Sequence, residues 1–151
     1  MRTHFLAGHQ RERAGVMEEV QTAHWVGERY EETKHITDLE TLAKRILSDF
    51  AVLSSSVCEA AGTGLELQIS VYGNMFMDIY LWGLNDEVVF RGTPPAVLTE
   101  LGEKYLAQVT EFVYSYGWAA GGRRRFFVLL GFVGEADWRT ERFNEPLLRI
   151  I

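Results

Sequence analysis

The chain has 151 residues, a net charge of −6, and 47% hydrophobic against 24% charged residues. That length fits one domain, 1–151, with a core of its own, and the composition is that of a globular protein. The acidic balance disfavours nonspecific nucleic-acid or anionic-membrane binding, which need a basic face, and the lone cysteine, Cys58, excludes an intrachain disulfide. No apolar run approaches the ~20 residues of a membrane span, and the opening stretch MRTHFLAGHQRER has no apolar targeting core. A cytoplasmic protein with no membrane partner is therefore expected. Of the 15 basic residues 12 are Arg, a bias that suits a GC-rich bacterial or phage source.

Residues 1–36 are polar and mixed, and read as an N-terminal arm or as an edge strand around His24–Tyr30. Eight acids between Glu12 and Glu40 form an acidic shoulder, read as a solvated face. Thr37, Asp38, Leu39 and Glu40 spell a capping box with Thr37 as the cap. Leu39, Leu42, Ala43, Ile46, Leu47, Phe50 and Leu53 then recur at three- and four-residue spacing, which predicts a helix over about 38–58. Cys58 reads as a small buried hydrophobe at its end. Ser54–Ser56 and Gly62–Gly64 lead out of it.

Leu65–Trp82 holds two strand-length runs around Gly73-Asn74, and the register of this hairpin decides its faces. A two-residue turn would put Tyr72 opposite Met75. It would also place Asp78 among Leu67, Ile69 and Val71. Burying an unpaired carboxylate costs several kcal/mol, roughly more than a turn preference contributes. The register one residue on, with Tyr72 opposite Phe76, is therefore predicted. Leu65, Leu67, Ile69 and Val71 then share a face with Met77, Ile79 and Leu81. The other face carries Glu66, Gln68, Ser70, Tyr72, Phe76, Asp78, Tyr80 and Trp82.

Glu87–Arg91 reads as a third, antiparallel strand after the Gly83–Asp86 turn. Pro95 opens a second helix, about 95–117, with Leu98, Leu101, Tyr105, Val109, Phe112, Val113 and Tyr116 as its core stripe. Ala119–Gly122 reads as a turn. Arg123, Arg124 and Arg125 open the strand Phe126–Val133, apolar on both faces and hence central. The tail, with Trp138 and Phe143, is expected to pack down.

The predicted class is α+β: a two-layer sandwich with a mostly antiparallel sheet of about 4–5 strands and both main helices on one face. The opposite face then presents Tyr72, Phe76, Tyr80 and Trp82 beside Glu66 and Asp78. A contiguous aromatic patch is costly to leave in water, so either the chain's own ends or another protein covers it. Aromatics beside isolated acids have the composition of an interface hot spot. These six residues are the candidate partner-binding set.

Chemistry is harder to find. His4, His9, His24 and His35 lack metal-ligand spacing and no second cysteine joins them, so neither a metal nor a cofactor is expected. His24 with Glu28 or Glu31 would be a weak acid–base pair, and Glu66 with Asp78 a weak carboxylate pair. No catalytic residue is assigned. Arg123, Arg124 and Arg125 next to Trp118 could contact an anion or nucleic acid, or hold the chain's own acidic shoulder.

Three functions follow, in order. The first is a small acidic inhibitor or neutraliser of the immunity or anti-defence kind, occluding another protein with its aromatic sheet face. The helix–three strands–helix–strand order is similar to that of small acidic type III secretion chaperones, which implies a homodimer as the second reading. The third is a small enzyme whose site is assembled from residues distant in sequence.

Overall fold

The computed structural model describes residues 25–53, 56–59, 64–92, 97–134 and, as backbone, 139–143. Residues 1–24 of the arm expected over 1–36, with His4, His9 and His24, the Pro94–Pro95 break, Trp138 and the tail after Phe143 lie outside them. Helices and strands occur together in sheets of mixed pairing, an α+β protein.

The described chain opens with strand β1 (Trp25–Val26), antiparallel to β6 (Trp118–Ala120). The Gly27 N–H donates to Gly117 O and the Arg29 N–H to Ser115 O. A Cβ on Gly27 would sit 2.1 Å from Ser115 O, so this close crossing requires glycine. A single helical turn, α1 (Tyr30–Thr33), follows.

Helix α2 runs Leu39–Leu53 and buries Leu39, Leu42, Ala43, Ile46 and Phe50, most of the expected stripe. Its start corrects the expected cap. Asp38 Oδ2 accepts from the Thr41 N–H at 3.0 Å and from the Thr41 hydroxyl at 2.8 Å, so Asp38 takes the place assigned to Thr37. A second orphan amide, that of Leu39, donates to Asn74 Oδ1 at 2.7 Å, from the tip of the hairpin. The helix stops short of residue 58, where the Ser56 hydroxyl donates to Leu53 O. Cys58 is buried.

Strands β2 (Glu66–Tyr72) and β3 (Phe76–Trp82) pair antiparallel with Tyr72 opposite Phe76 and Ile69 opposite Ile79, the register that keeps Asp78 off the aliphatic face. Gly73 and Asn74 both take positive φ in the three-residue connection. At the base of the hairpin, Gly83 sits at φ +98°, and a Cβ there would lie 2.0 Å from Gly64 O.

Residues 86–91 depart from expectation. Asp86–Val89 is a short helix, α3. Phe90–Arg91 (β4) leaves the hairpin and pairs with Val97–Leu98 (β5) in a separate ribbon. The place beside β3 is taken by β8 (Phe127–Val133), which runs parallel to it and is flanked on its far side by β9 (Arg139–Phe143), antiparallel. A run as short as EVVFR has no period long enough to separate helix from strand, and tertiary pairing decided it. The four-stranded sheet thus reads β2-β3-β8-β9, with the expected central strand inside it and a tail strand as its last member. The chain order on which the chaperone similarity rested is not kept.

Helix α4 spans Glu100–Tyr114, not 95–117. Thr99 caps it by accepting from the Gly102 N–H, while the Thr99 hydroxyl donates to Val88 O at 2.6 Å. Leu98 is buried from β5, and Leu101 faces solvent. The expected turn 119–122 is a small hairpin, β6 to β7 (Arg123–Arg124), closed by Gly121–Gly122. Met77, Ile79 and Leu81 form one apolar cluster with Ile46 of α2, Val109 and Val113 of α4, and Val128 and Leu130 of β8. Full burial of such side chains contributes roughly 1.5–3 kcal/mol each.

Candidate functional site

Because side chains alternate along a strand, the residues between the buried ones point to the other face. Tyr72, Phe76 and Trp82 are 52%, 41% and 38% exposed there, whereas Met77, Ile79 and Leu81 stand at 0%. Asp78 and Tyr80 are half-buried, and Glu66 is exposed. The structure therefore places all six candidate partner-binding residues on one face of two paired strands.

Three of the rings form a ladder at the hairpin end. Tyr72 stacks on Phe76 with centroids 5.7 Å apart, and Phe76 stacks on Phe127 at 5.3 Å. The Arg124 guanidinium lies over Phe127 at 5.4 Å. The Tyr72 hydroxyl donates to Asp78 Oδ1 at 3.0 Å, and this hydrogen bond pushes the phenol above its ordinary pKa. The bond also locks Tyr72 across the sheet, so the exposed ring is held before any partner arrives. Met75, 45% exposed, projects at the hairpin tip beside the ladder. At the other end Trp82 borders an open depression of about 550 Å³ with Glu66, Leu67, Gln68 and Gly83. A carboxylate beside an indole there suits a basic side chain.

Phe127 was not foreseen as part of this face. Phe127 was legible in principle, since it alternates with the buried Val128 and Leu130. Its apolar neighbours on both sides concealed which face it takes.

The three arginines divide. Arg123 is exposed at the β7 turn. Arg124 joins the aromatic ladder, with its Nε buried and lacking a hydrogen-bond partner among the described residues. Arg125 turns inward: it donates to Thr33 Oγ1 and O, Ile36 O and Tyr116 O at 2.6–3.0 Å and lies over the Tyr30 ring. Burial draws its pKa down from the usual arginine value. It fastens the chain to itself at Thr33–Ile36, at the end of the acidic shoulder, through carbonyls and a hydroxyl and not through carboxylates. Its donors are committed, which takes it out of the anion-binding set.

The weak catalytic pairs are not assembled. Asp78 faces Ser70 while Glu66 faces Trp82, four residues along, so the two carboxylates stand roughly 13 Å apart along the sheet, too far for paired action on one glycosidic bond. His35 is exposed, and His24 lies outside the described residues. Among the described residues no group of three or more His, Cys, Asp or Glu is placed to hold a metal ion. A second polar cluster joins α2 to α1 and to the turn after α4: the Tyr116 hydroxyl donates to Asp49 Oδ2 at 2.5 Å, and Arg45 bridges Asp49 and Glu32. Burial, then the Asp49 hydrogen bond, raises the Tyr116 pKa far above its ordinary value. With every member paired to another, this cluster reads as a structural tie. No described helix is long and apolar enough to cross a membrane. No protein-family model, curated protein or solved structure matches the chain.

Proposed function

We propose that this chain is a small acidic protein-binding module, an inhibitor or neutraliser of the immunity or anti-defence kind. It acts by laying the outer sheet face over another protein and occluding that protein's working surface. The architecture proposed for it is a two-layer sandwich: α2 and α4 cover one face of the mostly antiparallel sheet and leave the other for the partner.

One observation carries the reading. Rings held in register by a stacked ladder and a Tyr72–Asp78 hydrogen bond stay substantially exposed on a face that has no catalytic constellation. Rigid aromatics lose little side-chain entropy on binding, and acids between them select complementary charge. The partner's contacting surface is accordingly basic, with at least one Lys or Arg seated between Glu66 and Trp82.

The test is native mass spectrometry of the tagged chain recovered from its host, followed by an activity assay of whatever protein comes with it. One stoichiometric partner whose activity falls as the complex forms is the expected result. Tyr80→Ala and Trp82→Arg should each abolish the complex and stay folded, Trp82→Arg within about 0.5 kcal/mol of the parent's unfolding free energy and the half-buried Tyr80→Ala within about 2 kcal/mol. Variants that lose the fold would reveal this face as core and sink the reading.

A further inference from the structure

We propose that strand β2 is a homodimerisation edge: the side of it that no described strand pairs lies antiparallel against β2 of a second copy and joins the two four-stranded sheets into one. This goes beyond the partner-binding face: it uses the backbone edge of the sheet, and shares with that face only the side chains of Glu66, Gln68 and Tyr72 at its border.

The two edges of the sheet are built differently. Among the described strands β2 pairs with β3 alone, at one end of the order β2-β3-β8-β9. Exposed edges present unpaired N–H and C=O groups, and natural proteins blunt them with lysine, proline, bulges or short length. The β9 edge, RTERF, carries three charges in five residues. The β2 edge, ELQISVY, has seven residues, no lysine and no proline, and pairs with β3 at seven consecutive positions without a bulge. Its one charge, Glu66, lies at its end.

Apolar surface is also left over along this edge. Leu67, Ile69 and Val71 remain half-buried, while the residues opposite them on β3, Leu81, Ile79 and Met77, are completely covered. A neighbour on the free side of β2 would finish that burial.

The occupant follows from self-complementarity. A two-fold axis through Ile69 sets Ile69 against itself, Leu67 against Val71, Gln68 against Ser70, and Glu66 against Tyr72. Inner residues meet inner residues and outer meet outer, as antiparallel pairing requires. No like charges meet, and each Glu66 carboxylate comes beside a Tyr72 of the other copy. An isologous contact of this kind closes on itself and does not propagate. It also makes the two aromatic faces one continuous surface. Because each copy carries a net charge of −6 and brings only one acid, Glu66, to the join, added salt should tighten the pair.

Sedimentation of the full chain at micromolar concentration tests this. A species of twice 17.3 kDa, strengthened by salt, is the expected result. Gln68→Lys with Ser70→Lys changes two exposed side chains and sets lysines against lysines at the join. Association should weaken roughly tenfold or more with unfolding unchanged. Mixing that variant with the Gln68→Glu, Ser70→Glu variant should restore a dimer containing one chain of each. Trp82→Arg, which tests the partner-binding face, should leave the mass alone. A monomeric parent chain overturns the proposal; β2 amides protected from hydrogen exchange in that monomer would assign the edge to the chain's own residues. A dimer indifferent to both the lysine pair and the charge mixture also overturns it.

Discussion

Met77, Ile79 and Leu81 are sealed from water, while Phe76 and Trp82, their neighbours along the same strand, are about two-fifths exposed. Both sets are hydrophobic, so hydrophobicity did not sort them; register did. The inner set is aliphatic or thioether and belongs to one apolar cluster with Ile46 of α2 and Val109 and Val113 of α4. The outer set is aromatic, interleaved with Asp78 and Tyr80 and steadied by stacking. Aliphatic side chains stabilise by filling volume, and a mistake there leaves a cavity or a stranded charge. Ordered rings on a wet surface add little to folding and much to recognition. On the proposed reading the difference between the faces is one between stability and binding, and it can be broken from either side.

The largest expected effect is on the inner face. Ile79→Asp strands a carboxylate in the core at a cost of several kcal/mol, against a total stability of about 5–15 kcal/mol for a domain. The far-ultraviolet circular dichroism of that variant should show an unfolded or nearly unfolded chain at 25 °C. Next comes Arg125→Ala, which leaves the carbonyls of Ile36 and Tyr116 without their donor and takes one of two donors from Thr33 O; urea unfolding should report a loss of about 2–4 kcal/mol. Arg124→Ala, one residue away but on the aromatic ladder, should cost less than about 1 kcal/mol. Equal losses for the two arginines would mean that the ladder is as structural as the core.

Asn74→Ala probes the junction between the faces. It removes the acceptor for the Leu39 amide and places alanine at φ 48°, so about 1–2 kcal/mol should be lost, with helix α2 exchanging its first-turn amides faster. The inner layer should also show an alkaline limit. Tyr116 has a raised pKa in the folded protein and its ordinary value, near 10, when unfolded. Its contribution is fully present below that value and is lost as pH rises toward the folded-state pKa, because the unfolded chain then binds fewer protons. Urea midpoints should fall between about pH 9 and 11, and less steeply in Tyr116→Phe. Smallest in stability is the outer face: Trp82→Arg should change the unfolding free energy by less than about 0.5 kcal/mol while removing partner binding.

The amino-acid pattern alone made the two faces legible. The period of two along Leu65–Trp82, with the cost of burying Asp78, outweighed the turn chemistry of Gly73-Asn74 and led to the observed register. The stripe from Leu39 to Phe50 and the double-sided apolarity of Phe127–Val133 were equally local signals, and they placed a helix and an inner strand. The same pattern could not say which strand lies beside β3, because parallel neighbours are joined by long excursions and leave no turn signature. It misassigned Glu87–Arg91 for that reason: the sheet position it was given is occupied by β8.

Other features exist only in three dimensions. Asn74 reads as a turn residue and serves also as an acceptor for a helix 35 residues earlier. Arg124 and Arg125 are identical in sequence terms, yet one lies over a ring and the other is spent on three backbone carbonyls and a hydroxyl. Side-chain periodicity is set by the geometry of a single element, so the chain determines it by itself. Partners of a cap, a guanidinium or a strand edge belong to other elements, and only the packing of those elements chooses among them.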